Sequence, residues 1–340
     1  MGAEPAADAG PAGERLHALV IHPAFLGDTV FLGPAVRALK ARWPGGRVTL
    51  VVSPRGAPVA ALLPGCDEVV PFDKRRGDAG LRGLWRLGRR LRALRPDLAL
   101  VSHPSLRSGA LALLSGAPRR LGYAPFCNER VALDRTRPFV ERALRLAERA
   151  GAPGGTGLAL RAPAARAAYA ERLLAGAARP VLGLVPGAEW ATKRWPAAGW
   201  AELACRLGGT ALILGGPAER GLAAEIAAGA AGKPVLDSTG NSIEEAVALL
   251  ARCDLVVGGD TGLTHCARAL GRPTLTLFGP THVERHLFGP RDRPLSLGLP
   301  CQPCHDHGPR RCPLGHHDCM ARLEAWAVAE EAAALLDRAS

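Results

Sequence analysis

The stretch GGDTGLTHCARALGRPTLTLFGPT, residues 258–281, decides how this chain is expected to fold. Two glycines end the apolar run DLVVGG (254–259), a segment with helical spacing follows, and RPTLTLFG (272–279) is a second apolar run. A buried strand, a helix and another buried strand in succession are typical of a parallel sheet that is covered on both faces. The stretch therefore predicts an α/β fold and sets an Asp-Thr-Gly sequence at the carboxyl end of a strand.

The same alternation continues along the whole chain of 340 residues, which is long enough for two domains of ~150 residues each. The pattern stops at GAPGGTG (151–157) and then starts again. Further strands are expected at LHALVIH (16–22), RVTLVVSP (47–54), EVVPFD (68–73), LALVSHP (98–104), PVLGLVP (180–186), TALILGG (210–216) and KPVLDS (233–238). We therefore expect two doubly wound domains, 16–160 and 161–320, with a disordered tail at 1–15 and a last helix at 321–340 that could pack back on the first domain.

Four polar loops follow predicted strands and stand out from the apolar core. They are PAFLGDT (23–29), PGAEWATKRW (186–195), GGPAER (215–220) and GGDTGLTH (258–265). In open parallel sheets, ligands bind outside the carboxyl ends of the strands, and two facing domains form a cleft there. These loops are therefore the predicted ligand site.

Asp260 and Thr261 can cap the helix that follows them, and the amides from Thr261 to Leu263 are then its unpaired donors. Helix N-termini attract anions through such donors and through the helix dipole. An ordinary cap needs no glycine after it, whereas Gly262 lets a ligand approach the backbone closely. A phosphate-bearing ligand is therefore the favoured interpretation. His265 lies on the first turn and is given a binding role only, because a single histidine there is more often packed than catalytic.

Three further polar residues each have an ordinary and a functional interpretation. Lys193 is one of only four lysines in an arginine-rich chain, and it is either an exposed loop residue or a ligand of a diphosphate. Asp28 lies next to a helix that begins near Thr29, so spacing alone favours a helix cap over a carboxylate base that projects into the cleft. Glu219 is either an acid in a first helical turn or a residue that holds ribose hydroxyls.

Four of the nine cysteines lie in CQPCHDHGPRRCPLGHHDC (301–319). Cys301-x2-Cys304 is a recognisable ligand pair, but the spacing from Cys312 to Cys319 is wider than in a usual zinc knuckle. Because disulfides are rare inside cells, two alternatives stay open. One is a structural zinc site at all four cysteines, and the other is four reduced thiols in a loop.

The net charge of +12 could complement a nucleic acid, an anionic membrane surface or a phosphorylated substrate. The segment LRGLWRLGRRLRALR (81–95) has leucines on one helical face and arginines largely elsewhere. It is either a core-facing helix with a solvated basic surface or a helix that rests on lipid headgroups.

Residues 1–15 lack the apolar core of a signal peptide, and no apolar run is long enough to span a membrane, so a cytoplasmic protein with optional peripheral membrane contact is expected. The absence of GxxxxGK[ST], HExxH and GxSxG sequences argues against a P-loop enzyme, a zincin and a serine hydrolase.

Four stretches resemble the ADP-heptose:lipopolysaccharide heptosyltransferases of glycosyltransferase family 9, and most closely the heptosyltransferase II branch. IHPAFLGDTVFLGPAVRAL (21–39) is similar to the amino-terminal LGD motif of that family, and LVPGAEWATKRWPAAGWAELA (184–204) to its PGA…KRWP segment. The stretch 258–281 is similar to its DTG-x-x-H and FGPT motifs, and residues 301–320 look like a cysteine-rich tail that many members carry. The matches follow the family's order along the chain.

The resemblance implies a GT-B enzyme with two Rossmann-like domains that face each other across a cleft. The first domain would bind the acceptor and the second the sugar nucleotide, with no metal or other cofactor. The implied reaction is an inverting transfer of heptose from ADP-L-glycero-D-manno-heptose to the heptosyl-Kdo2-lipid A inner core of lipopolysaccharide. It would take place at the cytoplasmic face of the inner membrane, without a nucleic-acid partner.

The same resemblance assigns roles to individual residues. Asp28 matches the family's catalytic base, and Lys193 matches its phosphate-binding lysine. The donor-binding loop of the family matches Asp260, Thr261, Gly262 and His265, with Asp260 on sugar hydroxyls. Glu219 sits, in a looser alignment, where the family holds the nucleotide ribose.

The chain departs from some family members at His22, where a basic residue often ends the first strand, and at Ala188-Glu189, where some members have phosphate-binding hydroxyls. These differences leave open a family relative that uses another activated sugar or another acceptor. An alternative of a different class is a basic, zinc-containing protein that binds nucleic acid. The aromatic content of 4% counts against it, because bases of single strands stack on aromatic side chains.

Overall fold

The structure, a computed structural model, describes residues 15–338, and the chain divides into two units between Leu160 and Arg161. The tail expected at 1–15 lies outside the described residues except for Arg15. Each unit contains one sheet of six parallel strands with helices in the connections. The predicted α/β fold with two doubly wound sheets is therefore confirmed.

The strands of the first unit are ordered β3-β2-β1-β4-β5-β6. They are β1 (His17–His22), β2 (Arg47–Val52), β3 (Glu68–Pro71), β4 (Leu98–Val101), β5 (Arg119–Gly122) and β6 (Glu129–Arg130). The helices are α1 (Leu26–Val30), α2 (Gly33–Arg42), α3 (Ala57–Ala60), α4 (Gly80–Ala93), α5 (Leu106–Leu114) and α6 (Phe139–Arg149). Because β1 pairs with β2 on one side and with β4 on the other, the strand order reverses between β1 and β4. Ligands bind at such reversal points.

The second unit repeats this plan in the order β12-β11-β10-β7-β8-β9. Its strands are β7 (Val181–Val185), β8 (Thr210–Ile213), β9 (Val235–Asp237), β10 (Leu255–Gly259), β11 (Thr274–Leu277) and β12 (Asp292–Leu295). Its helices are α7 (Ala167–Leu173), α8 (Ala197–Arg206), α9 (Arg220–Gly229), α10 (Ile243–Leu250), α11 (Gly262–Ala269), α12 (Asp318–Ala321) and α13 (Ala325–Asp337). The reversal point lies between β7 and β10, which pair with each other.

The central strands form where the sequence has continuous apolar runs, since both faces of such a strand are buried. Every residue of β7 and β10 is buried, and so is nearly all of β1. Three strands at or next to a sheet edge were not expected from the sequence, namely β5, β6 and β12. Their sequences, RRLG, ER and DRPL, contain no apolar run, and a proline is tolerated only at such an edge.

The last helix, α13, packs against α8 and against β10, β11 and β12 of its own unit. Val328, Ala332 and Leu335 are buried in the core of that unit. The apolar face of α13 is thus covered within its own unit, and its packing on the first domain stays a prediction. Among residues 15–338, no helix is long and apolar enough to cross a bilayer.

Candidate functional site

The carboxyl end of β10 leads directly into α11. A Cβ atom on Gly258 would lie 2.2 Å from the Thr264 hydroxyl oxygen, so only a glycine lets the first turn of α11 come this close to the strand. Thr261 is the N-cap residue, and its side chain makes no capping hydrogen bond. The first-turn amides of α11 are therefore not occupied by the cap, which suits them to an anionic ligand.

Asp260 lies just before this turn and is 8% exposed. Its Oδ2 accepts hydrogen bonds from Lys193 Nζ at 2.6 Å and from the Thr281 hydroxyl at 2.8 Å. Its Oδ1 accepts one from His265 Nε2 at 3.0 Å, with His286 Nε2 3.5 Å away. Burial alone would raise the pKa of this carboxyl, but Lys193 and the His265 hydrogen bond hold the pKa well below its usual range. Asp260 is therefore a buried anion with an ammonium partner.

His265 is buried and contacts this carboxylate, as a packed histidine would. Its Nδ1 lies 3.4 Å from Arg268 Nη1, and a guanidinium can only donate, so Nδ1 accepts and the proton sits on Nε2, facing Asp260. The ring stacks on His286 with centroids 5.2 Å apart. Burial lowers the pKa of His265, and it lowers the pKa of His286 to about 3, so both imidazoles are neutral at pH 7. Together they orient Asp260 without adding charge.

The ligand atoms of Asp260, His265 and His286 lie within 4.8 Å of one another, a spacing that a metal ion could use. The Lys193 ammonium already contacts the same carboxylate at 2.6 Å and would repel a second cation. The ammonium of Lys193 therefore disfavours a metal ion at this group.

Lys193 ends a short 3-10 turn, Ala191–Lys193, between β7 and α8. Its side chain is only 12% exposed, so the interpretation as a solvated loop lysine is wrong. Its stem packs against Gly308, which has a φ of +92° and where a Cβ would lie 3.0 Å from Lys193 Cδ. Thr192 donates to the Pro309 carbonyl at 2.6 Å, and His317 Nε2 donates to the Thr192 carbonyl at 2.7 Å. The cysteine-rich segment 301–319 thus supports the turn that carries Lys193.

Glu219 performs the ordinary role that its position predicted. Its Oε2 accepts the Gly216 amide at 2.8 Å and so caps its own turn. Its Oε1 lies 3.8 Å from Arg194, the neighbour of Lys193. Its contact with the ribose of a nucleotide stays a prediction.

In the first unit, Asp28 lies on α1, after the end of β1. The helix begins at Leu26 rather than near Thr29, so Asp28 is its third residue and Phe25 is the N-cap residue. The Asp28 carboxylate still serves the cap from inside the helix, because its Oδ2 accepts the Phe25 amide at 3.1 Å. It also lines a pocket with His22, Ser102 and Arg142, at the reversal point of this sheet. Both interpretations of Asp28 are therefore compatible with its position, and its role as a base stays a prediction.

His22, where the chain departs from some family members, is half-buried and lines this pocket. Its Nδ1 is hydrogen-bonded to the Ser102 hydroxyl at 2.7 Å. Burial, assisted by the positive charges of Lys74 and Arg142, lowers the pKa of His22 to about 4. Burial also lowers the pKa of the neighbouring His103 to about 4. The pocket beside Asp28 is thus lined by one imidazole that is neutral at pH 7, that of His22, and the ring of His103 lies 5.7 Å from it.

Acid is expected to destabilise the first unit through His22. The unfolded chain takes up a proton near pH 6.5 that the folded chain accepts only near pH 4, so stability is full above pH 6.5 and falls as the pH approaches 4. The loss is about 1.4 kcal/mol per pH unit for each such group. Amide hydrogen exchange in β1 measures it, and His22→Gln should make the acid slope shallower by that amount. An unchanged slope in His22→Gln would show that His22 is not neutral in the folded chain.

The four cysteines of segment 301–319 line one pocket together with His316. No three of their sulfur atoms lie within 4.8 Å of one another, whereas thiolates about 2.3 Å from one zinc ion would be closer than that. Backbone hydrogen bonds, first from His317 and then from Leu314 and its neighbours, lower the pKa of the Cys312 thiol. Burial and the other three thiols raise the pKa of Cys319 to about 11. A zinc ion at Cys301, Cys304, Cys312 and Cys319 would have to draw the thiols together, and the site stays a prediction.

Sequence reasoning missed two residues that contact Asp260. Thr281 ends the FGPT motif just after β11, so the rule that ligands gather at carboxyl strand ends could have found it. His286 follows in an irregular segment after a 3-10 turn and has no strand or motif next to it. Nothing in the sequence marks it.

Comparison with known proteins supports one family. A model of that family, described as Glycosyltransferase family 9 (heptosyltransferase), matches residues 84–313. Lipopolysaccharide heptosyltransferase 2 of Salmonella typhimurium is 30% identical over 290 residues, which cover 78% of this chain and 83% of that protein. The crystal structure of a family 9 glycosyl transferase from Veillonella parvula has a TM-score of 0.84 at 21% identity, covering 95% of this chain and 98% of that one. The structure of E. coli ADP-heptose lps heptosyltransferase II has a TM-score of 0.77 at 26% identity, covering 95% and 99%.

Proposed function

Because the chain belongs to glycosyltransferase family 9, the heptosyltransferase family, we propose that it transfers heptose from ADP-L-glycero-D-manno-heptose to the heptosyl-Kdo2-lipid A inner core. Membership of this family makes the chain a heptosyltransferase of lipopolysaccharide core synthesis. The relatives and the E. coli heptosyltransferase II structure support ADP-heptose as the donor and a lipopolysaccharide precursor as the acceptor. A family relative with another activated sugar or acceptor is the alternative.

One observation carries the donor site: the Lys193 ammonium is fixed on Asp260 at 2.6 Å, beside the first turn of α11. The proposed diphosphate of the donor binds the ammonium and the amides of Thr261 and Gly262. Asp260 has protein partners on both of its oxygens, so we give it the task of positioning Lys193 rather than of holding sugar hydroxyls. His265 acts through Asp260 in the same way.

For the chemical step, Asp28 takes the proton from the acceptor hydroxyl as that oxygen attacks the anomeric carbon. Attack comes from the face opposite the diphosphate, so the configuration at this carbon inverts. The leaving diphosphate gains negative charge, which Lys193 and the α11 amides stabilise, as a metal ion does in other transferases. This step requires Asp28 of the first unit to reach the sugar that the second unit holds.

The proposed place of action is the cytoplasmic face of the inner membrane, since the acceptor is a lipid. The enzyme would meet that surface as a peripheral protein. No cofactor enters the proposal, because the Lys193 site supplies the positive charge that the leaving group needs.

The test is an assay of purified protein with heptosyl-Kdo2-lipid A and either ADP-heptose, a UDP-hexose or a GDP-hexose. We expect mass spectrometry to show the addition of one heptosyl residue with ADP-heptose alone. NMR of the new glycosidic bond should show a configuration opposite to that of the donor. Transfer of a hexose would replace the proposed donor, and retention of configuration would exclude the direct attack.

A further inference from the structure

The helix α4 and the loop before it carry an unusual share of the positive charge. Residues 73–94 contain eight lysines and arginines and two aspartates, a surplus of six in a chain whose net charge is +12. One of the two aspartates, Asp78, lies 3.9 Å from Arg86. Folding does not neutralise this charge, because Arg82, Arg89, Arg90 and Arg92 are all exposed.

Helix α4 lies beside α5 on the first unit. The backbone of Gly88 contacts Leu114, and Arg107 at the start of α5 donates to the Lys74 carbonyl at 3.3 Å. The small and apolar side of α4, which contains Leu87 and Leu91, is buried. The opposite side of α4 therefore points to solvent, as does the side of α5 that is not packed on the sheet.

These two outer sides expose large apolar side chains. Leu81 is 85% exposed and Trp85 55%, and their spacing of four residues puts both on one side of α4. On α5, Leu106 is 66% exposed and Leu113 48%, one above the other at a spacing of seven. The Arg89 guanidinium lies 4.9 Å from the centre of the Trp85 ring. Arginines and large apolar side chains are thus exposed together on two helices that pack side by side.

We propose that this surface, the outer sides of α4 and α5, binds the anionic headgroups and the outer acyl region of a phospholipid bilayer. The inference rests on the proposed function, because a lipid acceptor has to be met at a membrane. Charge complementarity attracts the arginines to anionic lipid, and each arginine near the surface raises the affinity about fivefold. The leucines and Trp85 then insert below the phosphates, while the arginine stems extend back to them.

A nucleic acid would complement the charge but not the apolar side chains. Its backbone offers phosphates and sugars, so Leu81 and Leu106 would gain little from it. A bilayer offers an anionic headgroup layer directly above an apolar layer. The arginines can contact the first while the leucines and Trp85 enter the second.

The test measures binding of the full chain to vesicles of phosphatidylcholine with or without one third phosphatidylglycerol, by sedimentation. We expect binding to the anionic vesicles only, weakened by high salt. The variant Arg82→Gln, Arg89→Gln, Arg90→Gln should lose about 100-fold in affinity. Its control is Arg172→Gln, Arg322→Gln, Arg338→Gln on the second unit, which removes the same charge and should bind like the wild type.

A second pair of variants tests insertion. Leu81→Ser, Trp85→Ser should lose about 10-fold or more, since two large apolar side chains no longer enter the bilayer. The control is Leu297→Ser, Trp326→Ser, in which the tryptophan has the same exposure of 55% as Trp85. The proposal is overturned if either variant binds the anionic vesicles as well as its control does. It is also overturned if the wild type binds both vesicle types equally. Binding to an oligonucleotide is measured with the same variants. If the substitutions weaken that binding and leave vesicle binding unchanged, the proposal is overturned as well.

Failure of this inference can be told apart from failure of the proposed function. All four variants should transfer heptose to a deacylated, water-soluble acceptor at the wild-type rate, because none of the changed residues lies at the donor site or at Asp28. Transfer to the acceptor in anionic vesicles should fall with vesicle binding. If the wild type also fails to transfer heptose to the deacylated acceptor, the proposed function is wrong. The vesicle measurements then still test whether this surface binds a bilayer.

Discussion

Replacing Asp28 by asparagine is expected to reduce turnover by ~10²–10⁴-fold, the usual contribution of a general base. Asparagine keeps a side-chain oxygen that can accept the Phe25 amide, so the start of α1 should stay intact. It cannot take up the proton of the acceptor hydroxyl. The measurement is kcat at saturating donor and acceptor, together with calorimetry of ADP binding, which should not change.

Asp28→Ala is the matched comparison because it removes the cap as well as the base. Its turnover should fall as in Asp28→Asn, and its folding stability should fall by about 0.5–2 kcal/mol in addition. If Asp28→Asn keeps near-normal turnover while Asp28→Ala is merely less stable, then Asp28 is only a helix cap. The pair thus separates the two interpretations that the sequence left open.

Much of the fold could be predicted from the sequence because the central strands are buried on both faces. Runs such as LHALVIH and DLVVGG must be apolar throughout, so they are visible without any structure. The strands that escaped prediction, β5, β6 and β12, lie at or next to an edge, where side chains need not be apolar. Burial, rather than strand pairing, is what a sequence pattern records.

For the candidate site, too, the sequence predicts some features and not others. Lys193 and Asp260 could be named because each follows a strand, and strand ends gather at one edge of a parallel sheet. Their direct contact could not be predicted, since it depends on how the turn before α8 folds against the segment 301–319. The contact of Asp260 with sugar hydroxyls stays a prediction, and in the structure its oxygens accept hydrogen bonds from Lys193, Thr281 and His265.

Asp260→Ala should destabilise the second unit by about 3–5 kcal/mol, because it leaves the ammonium of Lys193 largely buried without its carboxylate. Denaturant unfolding followed by amide hydrogen exchange in β10 measures this loss. Donor affinity should fall too, since Lys193 is no longer held beside α11. Asp260→Asn, which keeps the shape but not the charge, should lie between Asp260→Ala and the wild type.

Lys193→Met should behave differently, because Asp260 keeps its hydrogen bonds from His265 and Thr281. We expect a modest loss of stability and an affinity for ADP-heptose about 10–100-fold weaker, the value of one charge-assisted hydrogen bond. The double variant Lys193→Met, Asp260→Ala tests why Asp260→Ala loses stability. If the unpaired ammonium destabilises Asp260→Ala, adding Lys193→Met should restore part of the stability, so the two changes are not additive. Additive losses would mean that the pair contributes no coupling, and the lysine would then be free to bind a diphosphate without Asp260 holding it in place.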